Sequence, residues 1–279
     1  MKIIGVIHLP PLPGSPGYNG LKTSDYVNYV LNEAEKVLKA GLNGVIIENY
    51  MDYPYSVRLT NIEALNVLEK VVYSVKEEYS DLIVGVNVLR NSSIESVEIA
   101  CRTGIDFIRI NAYYEPLFTP EGYLKPVARL VWNKIRERNC CVKIYADVNV
   151  KHSRKIFDFV EALYNTCLRG RVHGVIITGI ATGFETPVHK VFIAKNICRD
   201  REIWVGSGVS INNIGKYVGL ADGIIVGTSI KENGLTSNPI DYVKALKLVE
   251  KARKYERIVS KQIGLMKSVG GSINSLHTH

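Results

Sequence analysis

Eight short runs of β-branched and other apolar residues recur along the chain, and segments with helical character separate them. The clearest are "KAGLNGVIIEN", "CRTGIDFIRIN", "RGRVHGVIITG" and "VGLADGIIVGT"; the others are "KIIGVIHL", "DLIVGVNVLRN", "CVKIYADVN" and "REIWVGSG". Runs of this kind fit strands that are buried on both faces of a parallel sheet. Eight alternations of strand and helix in this length favour a (β/α)₈ TIM barrel over an open sheet.

The segments between these runs carry helix signals. Thr60–Glu63 and Ser92–Glu95 both have the Ser/Thr-x-x-Glu spacing of a capping box. No linker or low-complexity stretch divides the chain, so residues 1–258 are expected to form a single barrel domain. Residues 259–279 are Gly/Ser-rich near their end, which indicates a peripheral C-terminal tail that is a candidate for disorder.

The balance of charged residues is basic, with 35 Lys and Arg against 27 Asp and Glu, a net charge of +8. This favours anionic partners in general. Because the basic residues are scattered and no zinc-finger spacing occurs, nucleic-acid binding is not expected. No apolar run approaches membrane-spanning length, which leaves peripheral membrane association through the basic surface as an open alternative.

Five cysteines, an odd number without a C-x-x-C pair, are predicted to be free thiols in a reducing compartment. They are Cys101, Cys140, Cys141, Cys167 and Cys198. The N-terminal "MKIIGVIHLPPLPG" lacks a small-residue cleavage site and stops at prolines, so it is interpreted as a first strand and not as a signal peptide. A cytoplasmic location is therefore expected.

The stretch "CCVKIYADVNVKHS" alternates apolar residues with polar ones, which places the polar set on one face of a strand. In a barrel that is covered by helices, this face must point inward, where charges need partners. Barrel chemistry is located at the carboxyl ends of the strands. The candidate residues there are His8, Glu48, Asn49, Asn87, Arg90, Arg109, Asn111, Asp147, Asn149, Thr178, Ser207 and Thr228.

Glu48 and Asp147 are the predicted catalytic carboxylates, as general acid or base or as ligands of a divalent cation such as Mg²⁺. Arg109, with Asn111 beside it, is expected at the site, and Arg109 and Lys143 are alternatively structural counter-ions. Lys151 and His152 follow the fifth strand and either bind an anionic substrate or are solvated. Nothing in the sequence argues for a lowered Lys151 pKa, so a Schiff-base role is disfavoured.

Small residues follow the last two strands in "GSGVS" and "GTS". The loops after strands seven and eight are the common phosphate site of these barrels, and their backbone N–H groups and helix N-termini can cradle an anion. The predicted phosphate-binding residues are Gly206, Ser207, Gly208, Gly227 and Thr228, with Thr178 and Gly179 in "TGIATG" as an extension or a lid. The alternative is that the glycines only permit tight turns.

Segments along residues 2–242, among them "GVIHLPPLPGSPGY", "VIIENYMDYP", "VGVNVLRNS", "ADVNVKHS" and "ADGIIVGTSIKENG", resemble the BtpA/SgcQ family. The resemblance implies a phosphate-binding TIM barrel and, from the family name, a role in photosystem I biogenesis; the SgcQ branch is associated with sugar-phosphate metabolism. No established reaction comes with the family. Its pattern matches the candidates above except Asn149, and adds Asp52 and Asn91.

Three positions depart from the usual family residues: Asn149 where the family has His, Ser92 where it has Asp, and "TPEG" at 119–122 where Asp-Gln-Gly is typical.

The sequence is compatible with two functions. One is an enzyme that acts on a small phosphorylated metabolite, a sugar or nucleoside phosphate. The other is a non-catalytic photosystem I assembly factor at the membrane surface. Homo-oligomerisation is a further expectation, based on Tyr26 and Tyr29 as exposed helix positions.

Overall fold

The computed structural model describes residues 1–179 and 183–274, and the side chains of residues 263–274 lie outside what it describes. Eight of its eleven strands form a closed parallel barrel. These strands are β1 (Lys2–His8), β2 (Gly44–Glu48), β3 (Ile83–Asn87), β4 (Phe107–Ile110), β7 (Lys143–Val148), β9 (Gly174–Ile177), β10 (Glu202–Val205) and β11 (Gly223–Val226). Their order around the barrel is β1-β11-β10-β9-β7-β4-β3-β2. The predicted (β/α)₈ barrel is confirmed.

In the described part of the chain, seven α-helices surround the strands. They are α1 (Thr23–Lys39), α2 (Ile62–Glu78), α3 (Ser93–Thr103), α4 (Ala128–Arg138), α5 (Phe159–Tyr164), α6 (Val188–Ile197) and α7 (Tyr242–Asn274). Only a 3₁₀ turn, Ile214–Lys216, lies between β10 and β11. The expected boundary at residue 258 falls inside α7, and the last part of the expected tail, residues 275–279, lies outside the described residues.

The two capping-box predictions locate the N-termini of α2 and α3, but the hydrogen bonds found there are not those of a capping box. The α2 cap is Asn61, one residue after Thr60, and its side chain accepts a hydrogen bond from the Ala64 N–H at 3.0 Å. Ser92 is the N-cap of α3, but its hydroxyl accepts from the Leu59 N–H at 2.8 Å, which ties the loop before α2 to α3.

Large side chains fill the lower part of the barrel interior. Phe107, Tyr145 and Trp204 pack against one another with ring centroids 4.1–5.4 Å apart. Gly85 and Gly223 make room for them, because a Cβ at these positions would lie 2.2 Å from Phe107 and 2.7 Å from Trp204. The side chains therefore fill this part of the interior, and the two cavities lined by residues of the barrel interior lie at the carboxyl ends of the strands.

Lys143 corrects one interpretation of the polar strand face. It lies at the start of β7, at the opposite end from the site, and is exposed. It therefore cannot be a deep counter-ion for Glu48 or Asp147. The alternation identified the face correctly, but the end of the strand at which a residue lies decides whether it reaches the cavity.

An accessory antiparallel sheet of β5 (Leu117–Thr119), β6 (Gly122–Leu124) and β8 (Arg154–Lys155) is built from the loops after β4 and β7. The turn between β5 and β6 carries Glu121, whose Oε2 lies 3.5 Å from Nε of Arg90. The "TPEG" segment, which differs from the usual family sequence, thus brings a carboxylate to the candidate site from outside the barrel.

The prediction of free thiols is wrong for four of the five cysteines. Disulfides join Cys101 to Cys140 and Cys167 to Cys198, and Cys141 is free and exposed. The partners are 39 and 31 residues apart in sequence. Neighbouring elements of the helix ring bring them together, a proximity that cysteine number and spacing do not reveal.

Tyr26 is also not the exposed position that was expected. It is fully buried, and its hydroxyl donates to the Pro11 carbonyl at 2.5 Å. Tyr29 is half-buried, with its hydroxyl 3.3 Å from the His8 carbonyl. Both tyrosines hold the loop after β1, so oligomerisation stays a prediction without these residues. Among the described residues, no helix is long and apolar enough to cross a membrane.

Candidate functional site

Two adjoining cavities of about 480 and 280 Å³ lie at the carboxyl ends of the barrel strands. The larger one brings together a set of predicted residues that are far apart in sequence: His8, Glu48, Arg109, Lys151, Gly206, Ser207, Gly208, Gly227 and Thr228. The smaller one shares Glu48, Tyr50, Arg109 and Lys151 with it and adds Asn87, Arg90, Asn111 and His152. Most of the predicted catalytic and phosphate-binding residues thus line these two cavities, and Asp147, Thr178 and Gly179 do not.

Asp147 lies beneath the cavities and does not line either of them in the described part of the chain. Its carboxylate accepts two hydrogen bonds of 3.0 Å from Arg109 and one of 2.5 Å from Asn111. Burial by itself would lower the pKa of Arg109, but the charges of Asp147 and Glu48 outweigh it and raise that pKa. Asp147 therefore orients a permanently charged guanidinium toward the cavity floor.

Glu48 is held in the charged state. Its Oε1 accepts a hydrogen bond from the Asn87 amide, and Oε2 lies 3.5 Å from Nε2 of His8. Burial would raise the pKa of Glu48, but its hydrogen bond with His8 and the nearby Arg109 and Lys151 charges lower it to about 2. A carboxylate of this acidity is a weak base at neutral pH, so its suitable role is that of a fixed negative charge.

His8 faces Glu48 through its Nε2 atom. Its Nδ1 lies 2.9 Å from the Thr236 carbonyl, which can only accept, so this nitrogen carries the donated hydrogen. Burial lowers the pKa of His8 below 6.5 and outweighs the opposing effect of Glu48. The ring packs at 4.7 Å from that of Tyr50. Neutral His8 therefore has the lone pair of Nε2 free to accept a proton, and the proton once accepted would form the hydrogen bond to Oε2 of Glu48.

The tertiary structure lowers the pKa of the Lys151 side chain. The backbone N–H of Lys151 donates to Oγ1 of Thr178 at 3.2 Å, and its backbone carbonyl accepts from Arg90 at 3.3 Å. Burial and the charge of Arg109 lower the pKa of Lys151 to about 8, against the opposing charge of Glu48. An amine with this pKa can exchange protons near neutral pH. Local sequence does not predict this lowered pKa, because Arg109 and Glu48 lie on other strands.

His152, the neighbour of Lys151, lines the smaller cavity. Burial lowers its pKa below 6.5, and the charges of Lys151 and Arg90 act in the same direction. Its backbone is left-handed, with φ of 58°.

Thr178 and Gly179 line neither cavity among the described residues. The Thr178 hydroxyl accepts the hydrogen bond from the Lys151 backbone, and the Gly179 N–H donates to Oγ of Ser207 at 2.8 Å.

The backbone of the Gly206–Gly208 loop depends on its glycines. Gly208 has a φ of +68°, and a Cβ there would lie 2.1 Å from the Phe184 carbonyl oxygen. The Asn213 side chain donates to the Gly208 carbonyl at 2.8 Å. A 3₁₀ turn, Ile214–Lys216, follows this loop, and another, Thr228–Ile230, begins inside the Gly227–Ser229 loop, where α-helices were expected. Anion binding here would therefore rest on loop N–H groups more than on helix dipoles.

Several family-pattern residues tie loops together. The Asn49 side chain donates to Asp52 at 2.8 Å and accepts from the Leu89 N–H at 2.7 Å. Asp52 in turn accepts from the Leu12 N–H at 2.7 Å. Asn149 stands where the family usually has His, and its side-chain amide donates to Glu115 at 3.1 Å. These residues hold the loops above β1, β2, β3 and β7 in place.

A divalent cation at Glu48 and Asp147 stays a prediction, and the donor set does not favour it. Among the described residues, no group of three or more His, Cys, Asp or Glu side chains is arranged to hold a metal ion. The Asp147 oxygens are already bonded to Arg109 and Asn111, and Glu48 is bonded to Asn87.

Three tyrosines of the site were not predicted: Tyr50, Tyr53 and Tyr55. They follow β2 in "ENYMDYPYS", so the clustering of aromatic residues after a barrel strand was the available signal. Thr236 and Glu185, from the loops after β11 and β9, were likewise missed. Residues 180–182 of the "TGIATG" segment, which was expected to extend the phosphate site or form a lid, lie outside the described residues.

The closed parallel barrel and the cavity above its strand ends define a (β/α)₈-barrel protein with titratable side chains and small-residue loops around one space. The chain belongs to the BtpA family, whose model matches residues 1–254. It is 38% identical over 248 residues to an uncharacterized protein of Pyrococcus horikoshii, covering 89% of this chain and 94% of that protein. The resemblance seen in the sequence is confirmed.

Two further similarities bear on function and fold. The chain is 31% identical to the photosystem I biogenesis protein BtpA of Synechocystis, over 89% of this chain and 86% of that protein. The barrel superposes on N-(5'-phosphoribosyl)anthranilate isomerase of Pyrococcus furiosus with a TM-score of 0.55 and 12% identity, covering 91% of this chain and 100% of that one. The second likeness shows the fold alone.

Proposed function

We propose that this protein is an enzyme that acts on a small phosphorylated metabolite. The observation that carries the proposal is that the two small-residue loops and the His8, Glu48 and Lys151 side chains line the same cavity. A substrate whose phosphate rests on the loops would reach these side chains with its reacting part. The substrate class is also supported by the fold, because the loops after the last two strands of such barrels are a common phosphate site.

The charges suit an anionic substrate and proton-transfer chemistry. Arg109 is a fixed cation at the cavity, and Lys151 is a cation below about pH 8. His8 can accept a proton at Nε2, and the Lys151 ammonium can donate one. Arg109 would stabilise developing negative charge on a substrate oxygen, while Glu48 balances the positive charge of its neighbours. This division of roles is that of general acid–base catalysis in lyases, isomerases and hydrolases.

Thr228 offers a direct test, because it lines the cavity in the second loop and is partly exposed. Thr228→Asp introduces a negative charge beside the proposed phosphate, and Thr228→Asn is a control of nearly the same shape without the charge. We expect ribose 5-phosphate to raise the melting temperature of wild type and Thr228→Asn, and to lose at least ~10-fold in affinity in Thr228→Asp. Equal affinity of the two variants for ribose 5-phosphate would show that its phosphate does not bind at this loop.

Gly208 is a poor position for such a test. Its left-handed backbone and the nearby Phe184 carbonyl mean that Gly208→Asp would disturb folding as well as binding. The Thr228 pair separates charge from shape without that problem.

The second candidate, a photosystem I assembly factor at the membrane surface, rests on the name of the Synechocystis relative. It predicts that the purified protein sediments with vesicles that contain anionic lipids, and that salt releases it. Phosphate-dependent stabilisation without vesicle binding would favour the enzyme.

A further inference from the structure

The smaller cavity adds a distinct chamber to the proposed active site. The larger cavity, at about 480 Å³, already has the size of a small-molecule pocket. The smaller one adds about 280 Å³ on the other side of the Lys151 side chain, and the two share a wall of Glu48, Tyr50, Arg109 and Lys151. A ligand held by the loops at one end would therefore extend past Lys151 into the second chamber.

Aromatic rings line this second chamber, which we call the tyrosine pocket: Tyr50, Tyr53 and Tyr55 with Arg90, Glu121 and His152 around them. Tyr50 and Tyr53 pack edge to face at 6.2 Å, and the Tyr55 hydroxyl donates to the Tyr50 carbonyl at 2.6 Å. Tyr53 is nevertheless 55% exposed. A fixed, exposed aromatic ring at the mouth of a pocket is a stacking surface for a planar ligand.

One polar atom in this pocket has an ion-pair partner but no hydrogen bond. In the described part of the chain, Oε2 of Glu121 is buried and accepts no hydrogen bond, although Nε of Arg90 lies 3.5 Å away. A buried acceptor without a donor is costly, so a ligand that supplies an N–H group gains from meeting it. Exocyclic amines and ring N–H groups of purine bases carry such donors.

We propose that the tyrosine pocket binds a purine ring, which makes the substrate a purine nucleotide and not a bare sugar phosphate. This rests on the proposed function, because it places the phosphate on the two small-residue loops. The ribose then spans the shared wall next to Lys151, the base stacks on Tyr53, and its amine meets Glu121. The reacting bond would lie at the ribose, where Lys151 and His8 face the ligand.

The test measures binding of ribose 5-phosphate, AMP, GMP and inorganic phosphate to the full-length protein by calorimetry. We expect AMP or GMP to bind at least ~10-fold more tightly than ribose 5-phosphate, the scale of one stacked base. Tyr53→Ala should remove this advantage and leave ribose 5-phosphate binding unchanged, while Tyr53→Phe keeps the ring and should retain it. Glu121→Gln, which keeps the shape, should lower nucleotide affinity only.

The outcomes separate the two proposals. If ribose 5-phosphate and both nucleotides bind equally to wild type, the purine inference is wrong and the phosphorylated-metabolite proposal stands. If nucleotides bind more tightly but Tyr53→Ala leaves the advantage intact, the base lies elsewhere and the inference is also wrong. If no phosphate compound binds, both proposals fail.

Discussion

Arg109 and Asp147, on neighbouring barrel strands, form a bidentate ion pair with both N–O distances at 3.0 Å beneath the candidate site. Both side chains are buried, with exposures of 6% and 0%. The pair fixes the guanidinium at the cavity floor, and Asn111 completes the set of hydrogen bonds to Asp147. Asp147, which the sequence predicts as a catalytic carboxylate, is thus bonded to Arg109 and Asn111 in the structure, and its direct catalytic role stays a prediction.

Asp147→Asn is expected to destabilise the fold, because Arg109 would be left as an uncompensated buried charge. Breaking a buried pair in this way costs about 3–5 kcal/mol in unfolding free energy. Urea denaturation of wild type and variant measures the loss. Unaltered stability together with an at least ~100-fold loss of turnover would instead assign Asp147 a direct catalytic role.

Glu48→Gln is expected to change the pH dependence of stability. The pKa of Glu48 falls from 4.5 to about 2 on folding, so its charge stabilises the native state above pH 4.5. That contribution is lost as the pH falls from about 4.5 to 2. Melting temperatures measured across this range should drop less steeply in Glu48→Gln than in wild type. Parallel curves would contradict the lowered pKa.

Lys151 is expected to react as a nucleophilic amine near pH 8, since its pKa falls to about that value. Glyceraldehyde 3-phosphate with borohydride should attach to Lys151 as a reduced imine, in which the carbonyl oxygen leaves as water. Peptide mass spectrometry should find half-maximal labelling near pH 8, and inorganic phosphate should protect Lys151. The exposed Lys143 serves as the unprotected comparison. Labelling that phosphate does not affect would place Lys151 outside the binding site.

Removal of divalent cations tests whether Glu48 and Asp147 bind a metal ion or only pair with neighbouring side chains. A cation held by Glu48 and Asp147 predicts that EDTA lowers both ligand affinity and melting temperature. Because Asp147 is already paired with Arg109, we expect no change in either quantity. Restoration of a lost melting temperature by added Mg²⁺ would overturn this expectation.

The sequence by itself determined the barrel and the ends of its strands. Runs such as "GVIIEN" and "GIIVGT" bury both faces of a strand, and eight of them between helical segments are compatible with few architectures. Because parallel strands in such a barrel all end on one face, the positions of His8, Glu48, Arg109 and Lys151 near one cavity followed from local pattern alone. The family pattern pointed to the same residues.

Only the tertiary structure decided what each of these side chains can do. The pKa of Lys151 depends on Arg109 and Glu48, which lie on other strands, and the pairing of Asp147 depends on the geometry across β4 and β7. The disulfide partners, the burial of Tyr26 and the reach of Glu121 toward Arg90 are equally non-local. Local pattern fixes which face and end of an element a residue occupies, but charge, burial and partners are set by contacts between segments distant in sequence.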